Sequence, residues 1–402
     1  MKTTISQFML RSGIYSGSNS RALVPSLFAG LGANRVVLFS DRGLEKAGVV
    51  EKVADLFKSS FVGSGPELVG TYLDISQDAE SRCINEAARY AREFGADALL
   101  AVGGGSVLDT VKGVKYALHK GLEDIKEAIS GGLLYESFPK AGFIPIPHIA
   151  IPTTAGTGAE VSPIAVIYNE DIQMKTSIIH PFINADMAIL DPDLTVGLPP
   201  MITAFTGFDA LTHAIEALAS PTATALTDAQ ALHAIRLIEK NLPVAVADGG
   251  NLEARMDLLQ ASLMGITAFS FALNAIPIHN LAHAYGAMFR IPHGLANAVF
   301  LPVVMEYIPQ LYLPKVSELA EALRVDVKGD TSETALEKVV EKIRLLQHKV
   351  GLPADFKEYN ISEEALQRTI PAVMKDPAAV SFPLPKELIA AIAKRVAPLG
   401  VK

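Results

Sequence analysis

Five side chains in the second half of the chain have the types and spacing of a metal site. His279 and His283 stand four residues apart on what reads as one helix face, and His293 follows ten residues later between Pro292 and Gly294, in a turn that can fold it back. This stretch is among the most apolar in the sequence, so its imidazoles need hydrogen bonds or a metal. Upstream, Asp209 and His213 repeat the four-residue spacing inside Thr206–Glu216. Taken alone, each histidine reads as a satisfied core residue, and Asp209 as a capping or dipole-stabilising carboxylate at a helix start. Asp209 and His213 combined with His279 and His293 give one carboxylate oxygen and three imidazole nitrogens. That set suits Fe(II) or Zn(II) and not the all-oxygen preferences of Mg(II) or Ca(II). His119, His148, His180, His233 and His348 lack spaced partners and read as surface or core residues.

The first half carries a different device. A strand over Ala98–Val102 runs into Gly103, Gly104, Gly105 and Ser106, and a helix continues through Asp109 to about Leu118. Glycines at a strand-to-helix turn let the backbone approach a phosphate, and the helix start supplies free N–H groups. The spacing is not the usual GxGxxG, so the phosphate reading rests on the strand, the helix and Asp109 around the glycines. A second loop, Thr153 to Glu160, offers the hydroxyls of Thr153, Thr154 and Thr157 after the strand His148–Pro152. Arg35–Phe39 reads as a buried strand ending in Ser40-Asp41, a carboxylate at its C-terminal edge.

The elements that must position these groups follow from periodicity. A helix is predicted over roughly Gly43–Lys58, a strand over Thr71–Ile75, and a helix over Asp78–Phe94 capped by Asp78. Further strands are predicted over 161–168, 175–178 and 188–190, which gives an α/β half. From Met201 onward helical periods dominate, and a boundary falls near Leu198-Pro199-Pro200, dividing the chain into domains 1–197 and 198–402.

Composition bounds the function. With 402 residues, half of them hydrophobic and 19% charged, the chain can bury a sizeable core. A net charge of −8 argues against a nucleic-acid partner. The single Cys83 excludes an intramolecular disulfide, suits a reducing cytoplasm and reads as core. Arg11 interrupts the Phe8-Met9-Leu10 patch, so no secretory signal is expected. Leu258–Phe289 carries no formal charge, but Pro277 and several polar residues split it into two buried helices and not a membrane span.

Taken together, Ser40-Asp41, Gly103–Ser106 with Asp109, Pro152–Glu160, Asp209 with His213, and His279, His283 and His293 resemble the iron-containing (group III) alcohol dehydrogenase family over nearly the whole chain. The resemblance implies the dehydroquinate synthase-like two-domain fold, an α/β dinucleotide-binding domain followed by an all-α domain. It implies Asp209, His213, His279 and His293 as ligands of a divalent metal, Fe(II) first and Zn(II) second, and His283 beside the substrate and nicotinamide. It further implies NAD(H), with Gly104, Gly105 and Ser106 at the pyrophosphate, Gly103 also among the cofactor-binding residues, and Asp41 on the ribose 2′-OH, where its charge repels a 2′-phosphate. Thr153, Thr154 and Thr157 would line the cofactor site, with Lys175 a ribose contact. A homodimer is the usual unit. Ser76-Gln77-Asp78-Ala79 departs from the family's frequent Pro-Asn-Pro turn, Phe382-Pro383 from its Asn-Pro, and Asn280 stands where small residues are common.

The expected reaction is hydride transfer between the nicotinamide and a metal-bound alcohol, aldehyde or ketone. The metal acidifies the alcohol, and His283 relays its proton. A dehydroquinate synthase-like lyase would bring Glu/His/His ligands and a glycerol dehydrogenase-like enzyme a three-ligand zinc set. A silent metal- or nucleotide-binding protein would not need both sites intact.

Overall fold

The computed structural model describes residues 5–58 and 65–398. It divides into two compact units, Leu10–Leu198 and Pro199–Lys402, the latter joined by Met1–Met9.

The first unit contains β1 (Gly13–Ser16), α1 (Val24–Gly30), β2 (Arg35–Phe39), α2 (Arg42–Lys46), α3 (Val49–Lys58), β3 (Glu67–Tyr72), α4 (Ser81–Glu93), β4 (Ala98–Gly103), α5 (Gly105–Lys120), α6 (Lys126–Ile129), β5 (Leu133–Tyr135), β6 (His148–Pro152), β7 (Ile164–Asn169), β8 (Met174–Ile179) and β9 (Met187–Leu190). Among the described residues a parallel sheet runs β1-β9-β6-β4-β2-β3, and a smaller sheet runs β5-β8-β7. Apolar runs without polar alternation suit strands covered on both faces. Val37, Phe39, Leu99 and Ala101 enter one core, shared with α4 and α5, and Val36, Leu38, Leu100 and Val102 enter the other, shared with α1 and α3. Period two thus sends neighbouring residues to opposite faces. The adjacent strands β2, β4 and β6 all end at one edge, so 40–43, 103–106 and 153–158 leave together from the carboxyl ends where open α/β sheets bind ligands.

Three predicted elements shift. Gly43–Lys58 is two helices, because Gly48 adopts φ +71° between α2 and α3. The strand expected at Thr71–Ile75 lies earlier, at Glu67–Tyr72, paired with β2. Asp78 does not cap α4: it and Ala79 take positive φ (69° and 48°), and the helix starts at Ser81.

The second unit is helical: α7 (Pro200–Ala219), α8 (Ala225–Ala247), α9 (Leu252–Phe271), α10 (Pro277–Phe289), α11 (His293–Tyr307), α12 (Pro309–Tyr312), α13 (Val316–Ala322), α14 (Ser332–Lys349), α15 (Glu363–Lys375) and α16 (Lys386–Val396). Helix α7 is buried over most of its length and packs against α8, α9 and α11. The charge-free run becomes the end of α9 and the whole of α10, broken at Pro277. No helix among the described residues is long and apolar enough to cross a membrane.

Candidate functional site

In the helical unit the four-residue spacing holds on two helices. Asp209 and His213 lie in the interior of α7, so Asp209 is not a helix-start cap. His279 sits in the first turn of α10, and His293 is the first residue of α11 rather than part of a turn. Gly294 makes that placement possible: a Cβ there would lie 2.3 Å from the carbonyl oxygen of Phe205, so only glycine brings the start of α11 onto α7.

Asp209, His213 and His279 each offer a donor atom within 4.8 Å of the others, and all three residues are buried. His293 Nε2 lies 3.6 Å and His279 Nε2 3.8 Å from Asp209 Oδ1. Tetrahedral donors at metal-ligand distances of about 2.1 Å stand roughly 3.4 Å apart, so these separations fit a divalent ion. The Asn297 amide nitrogen donates to Asp209 Oδ1 at 2.6 Å and lies 3.4 and 3.2 Å from Nε2 of His279 and His293, so the donors already converge on one electropositive group. Phe269 packs against the His213 and His279 rings at 4.9 and 4.7 Å between centroids and shields them from water.

Charge follows geometry. Burial opposes ionisation of Asp209, yet the rings of His213, His293 and His279 hold its carboxyl well below the usual range. Burial likewise opposes a charge on His279, but Glu216 and Asp209 lift it to about 9. The cluster attracts positive charge.

His283 stands slightly apart. Its ring stacks on His293 at 5.3 Å, and its Nδ1 lies 3.3 Å from Oδ1 of the buried Asp376. Asp376 also accepts from the Ala378 N–H at 2.8 Å, which fixes the carboxylate. Glu216, Asn297 and Asp376 were not singled out from sequence. Glu216 extends the Asp209, His213 face by three residues and Asn297 lies four beyond His293, so helical spacing carried a signal for both. Asp376 lies ninety-three residues from His283 and carried none. Asn280 is fully buried, and neither atom of its amide has a hydrogen-bond partner among the described residues.

In the α/β unit, Gly104 caps α5 and the N–H groups of its first turn face outward from the end of β4. Gly103 ends the strand. A Cβ at Gly105 would lie 2.6 Å from Thr157 Cγ2, so the glycine turn and the threonine loop touch. Thr153 is buried and its N–H donates to the Gly103 carbonyl at 3.0 Å; Thr154 borders Gly104. Beside this turn an open hollow of 570 Å³ is lined by Asp41, Arg42, Asp74, Ser76, Gln77 and Ser106, among others. Asp41 caps α2 through the Leu44 N–H at 2.9 Å. Arg42 is bound by Asp74 at 2.9 Å and Glu45 at 3.1 Å, so the rim keeps a negative balance.

Two predicted cofactor residues have partners within the α/β unit. The Asp109 carboxylate is half-buried, pairs with Lys112 at 2.8 Å and accepts from the Val166 N–H at 3.2 Å. These contacts tie α5 to β7. Lys175 is buried and pairs with Asp78 at 3.0 Å, while the Asp78 N–H donates to Ser106 Oγ at 3.1 Å. The lysine thus reaches the turn through Asp78. The departure at Ser76–Ala79 therefore builds part of the hollow in place of a proline turn.

The family described as iron-containing alcohol dehydrogenase matches residues 12–192, and the C-terminal part of the Fe-containing alcohol dehydrogenase family matches 203–395. Long-chain-alcohol dehydrogenase 1 of Geobacillus thermodenitrificans is 36% identical over 357 residues, 88% of this chain and 87% of that protein. The 1,3-propanediol dehydrogenase of Klebsiella pneumoniae is 32% identical over 92% of both chains. A crystal structure of a 1,3-propanediol oxidoreductase superposes with a TM-score of 0.89 at 31% identity, covering 98% of this chain and all of the other.

Proposed function

The chain belongs to the iron-containing alcohol dehydrogenase family, oxidoreductases acting on CH–OH groups, and from that premise we propose that it passes a hydride between NAD(H) and the carbon of an alcohol, aldehyde or ketone. The observation that carries the reading is the convergence of one carboxylate and three imidazoles from α7, α10 and α11. Asp209, His213, His279 and His293 would hold the metal, Fe(II) in our reading, with Zn(II) the alternative the same donors accept. When bound, that metal supplies Lewis-acid polarisation of the substrate oxygen.

The remaining work falls to the chain. Asp376 accepts from the Nδ1–H of His283, which leaves Nε2 to take the proton of the substrate hydroxyl. Phe269 keeps water off the ligand rings. In the α/β unit the first-turn N–H groups of α5 and the turn Gly103–Ser106 hold the pyrophosphate, with Thr153, Thr154 and Thr157 beside it. Asp41 accepts from the ribose 2′-OH, and Asp41, Asp74 and Glu45 around Arg42 repel a 2′-phosphate, so NAD(H) is preferred. Asp109 and Lys175 act behind this surface, through Val166 and Asp78.

A homodimer in the cytoplasm, on the family resemblance, completes the proposal; sedimentation at the dimer mass checks the first part. Assays with NAD and a panel of primary alcohols, diols and hydroxy acids, read as growth of NADH absorbance, test the reaction and identify the substrate. No NADH with any of them, in protein shown to carry metal, would favour a lyase or a silent binder. Metal analysis of anaerobically purified protein separates iron from zinc.

A further inference from the structure

We propose that Glu216 is the positioning residue of the metal site, selecting the ring tautomer of His279 and fixing the rotation of α10 against α7. The inference rests on the metal-dependent reading above.

Glu216 is a buried carboxylate on the same face of α7 as Asp209 and His213. A carboxylate removed from water must be fully hydrogen-bonded to be tolerated. Both of its oxygens are used. Oε1 accepts from the backbone N–H of Ile278 at 2.7 Å, and Oε2 meets Nδ1 of His279 at 2.5 Å.

The first contact replaces a helix cap. Helices α8 and α9 are capped by their own Thr224 and Asn251, whereas Ile276 at the start of α10 offers no side-chain cap and Pro277 has no N–H. The first orphan donor of α10 is therefore satisfied from another helix, which ties the two helices at the turn that bears His279. The second contact sets the chemistry. A carboxylate can only accept, so it keeps a proton of His279 on Nδ1, and the nitrogen left for a metal to take is Nε2, the atom that faces Asp209.

An amide cannot do both. In Glu216→Gln, an oxygen kept on Nδ1–H turns the NH2 group against the Ile278 N–H. An oxygen kept on Ile278 turns the NH2 group against Nδ1 and favours the proton on Nε2, which blocks ligation. The first orientation loses the Ile278 contact, and the second keeps both contacts but reverses the tautomer.

The test uses Zn(II) as the probe, measured by competition with a chromophoric chelator. Glu216→Gln should bind Zn(II) about 10- to 100-fold more weakly than the wild type. Nitrogen-15 histidine spectra of the Zn(II)-loaded wild type should show His279 protonated at Nδ1 and metallated at Nε2, a readout that needs no variant and stands if Glu216→Gln fails to fold. Zn(II) affinity unchanged in Glu216→Gln, or His279 metallated through Nδ1, would overturn the role of Glu216 while leaving the metal site intact. A wild type with no Zn(II) affinity would overturn the metal-dependent reading and this inference with it.

Discussion

Asp209 and Glu160 are carboxylic acids in different units, each with 2% of its surface exposed, and their acidities are shifted in opposite directions. Asp209 is ringed by imidazoles that keep it ionised. Glu160 is pushed up to about 7 by burial. A hydrogen bond from its own backbone and the charge of Lys112 work against the rise, and Asp109 adds to it. Equal burial with unequal partners gives unequal charge, so partners and not depth decide what a buried acid can do. The contrast extends to the two sites. In the helical unit the candidate site is built from side chains that complete one another. In the α/β unit it is built from backbone N–H groups at a glycine turn.

If that division holds, removing one side chain should disable the first site outright. His279→Ala removes a ligand and leaves Glu216 buried without its partner. Metal content after dialysis should fall to background and turnover by at least about 10³-fold. Wild-type turnover in this variant would refute the ligand assignment.

The buried-acid contrast can be tested through pH. The Glu160 proton is held more tightly in the folded protein than in the unfolded chain. Its stabilisation is therefore fully present below about 4.5 and lost as pH rises through about 7. Glu160→Gln lacks this dependence. Relative to the wild type, its stability should rise across that window by up to about 3 kcal/mol, measured by chemical denaturation at the two ends. A constant difference across the window would place the Glu160 carboxyl near its ordinary value.

The same division explains what could be read from sequence. Candidate ligands on helices announce themselves because side chains four apart share a face, and strands β2, β4 and β6 do so because fully buried runs lack alternation. Glu216 and Asn297 sat on those same faces but resemble ordinary polar residues, and only their contacts with His279 and Asp209 show what they do. Asp376 reaches His283 across ninety-three residues, which no local pattern encodes. Asp109 follows the glycine turn closely, and its contact with Val166 likewise had no local signal. The capping role given to Asp78 failed because the backbone turns left-handed there before α4 begins.

On the α/β side the comparison predicts that backbone spacing matters more than side-chain identity. Gly105→Ala places a methyl 2.6 Å from Thr157 Cγ2 and 2.9 Å from its Oγ1, so the threonine loop must move. The KM for NAD should rise about 10- to 30-fold with metal content unchanged, since about 1.4 to 2 kcal/mol of binding is at stake in a single lost fit. Loss of metal in this variant would break the separation of the two sites.

The smallest expected effect belongs to Asp41, one of the carboxylates proposed to set cofactor choice. Asp41 has two jobs that can be separated, capping α2 through the Leu44 N–H and holding negative charge at the hollow. Asparagine caps as well as aspartate does, so Asp41→Asn keeps the helix start and removes only the charge. The ratio of kcat/KM for NAD over that for NADP should then fall about 10-fold, the scale of one screened charge contact near a protein surface. It should not invert, because Asp74 and Glu45 still occupy the Arg42 guanidinium that could otherwise meet a 2′-phosphate. A wild-type preference for NADP, or a ratio that Asp41→Asn does not move, would place cofactor choice in the backbone cradle and leave no selective side chain in this half of the molecule.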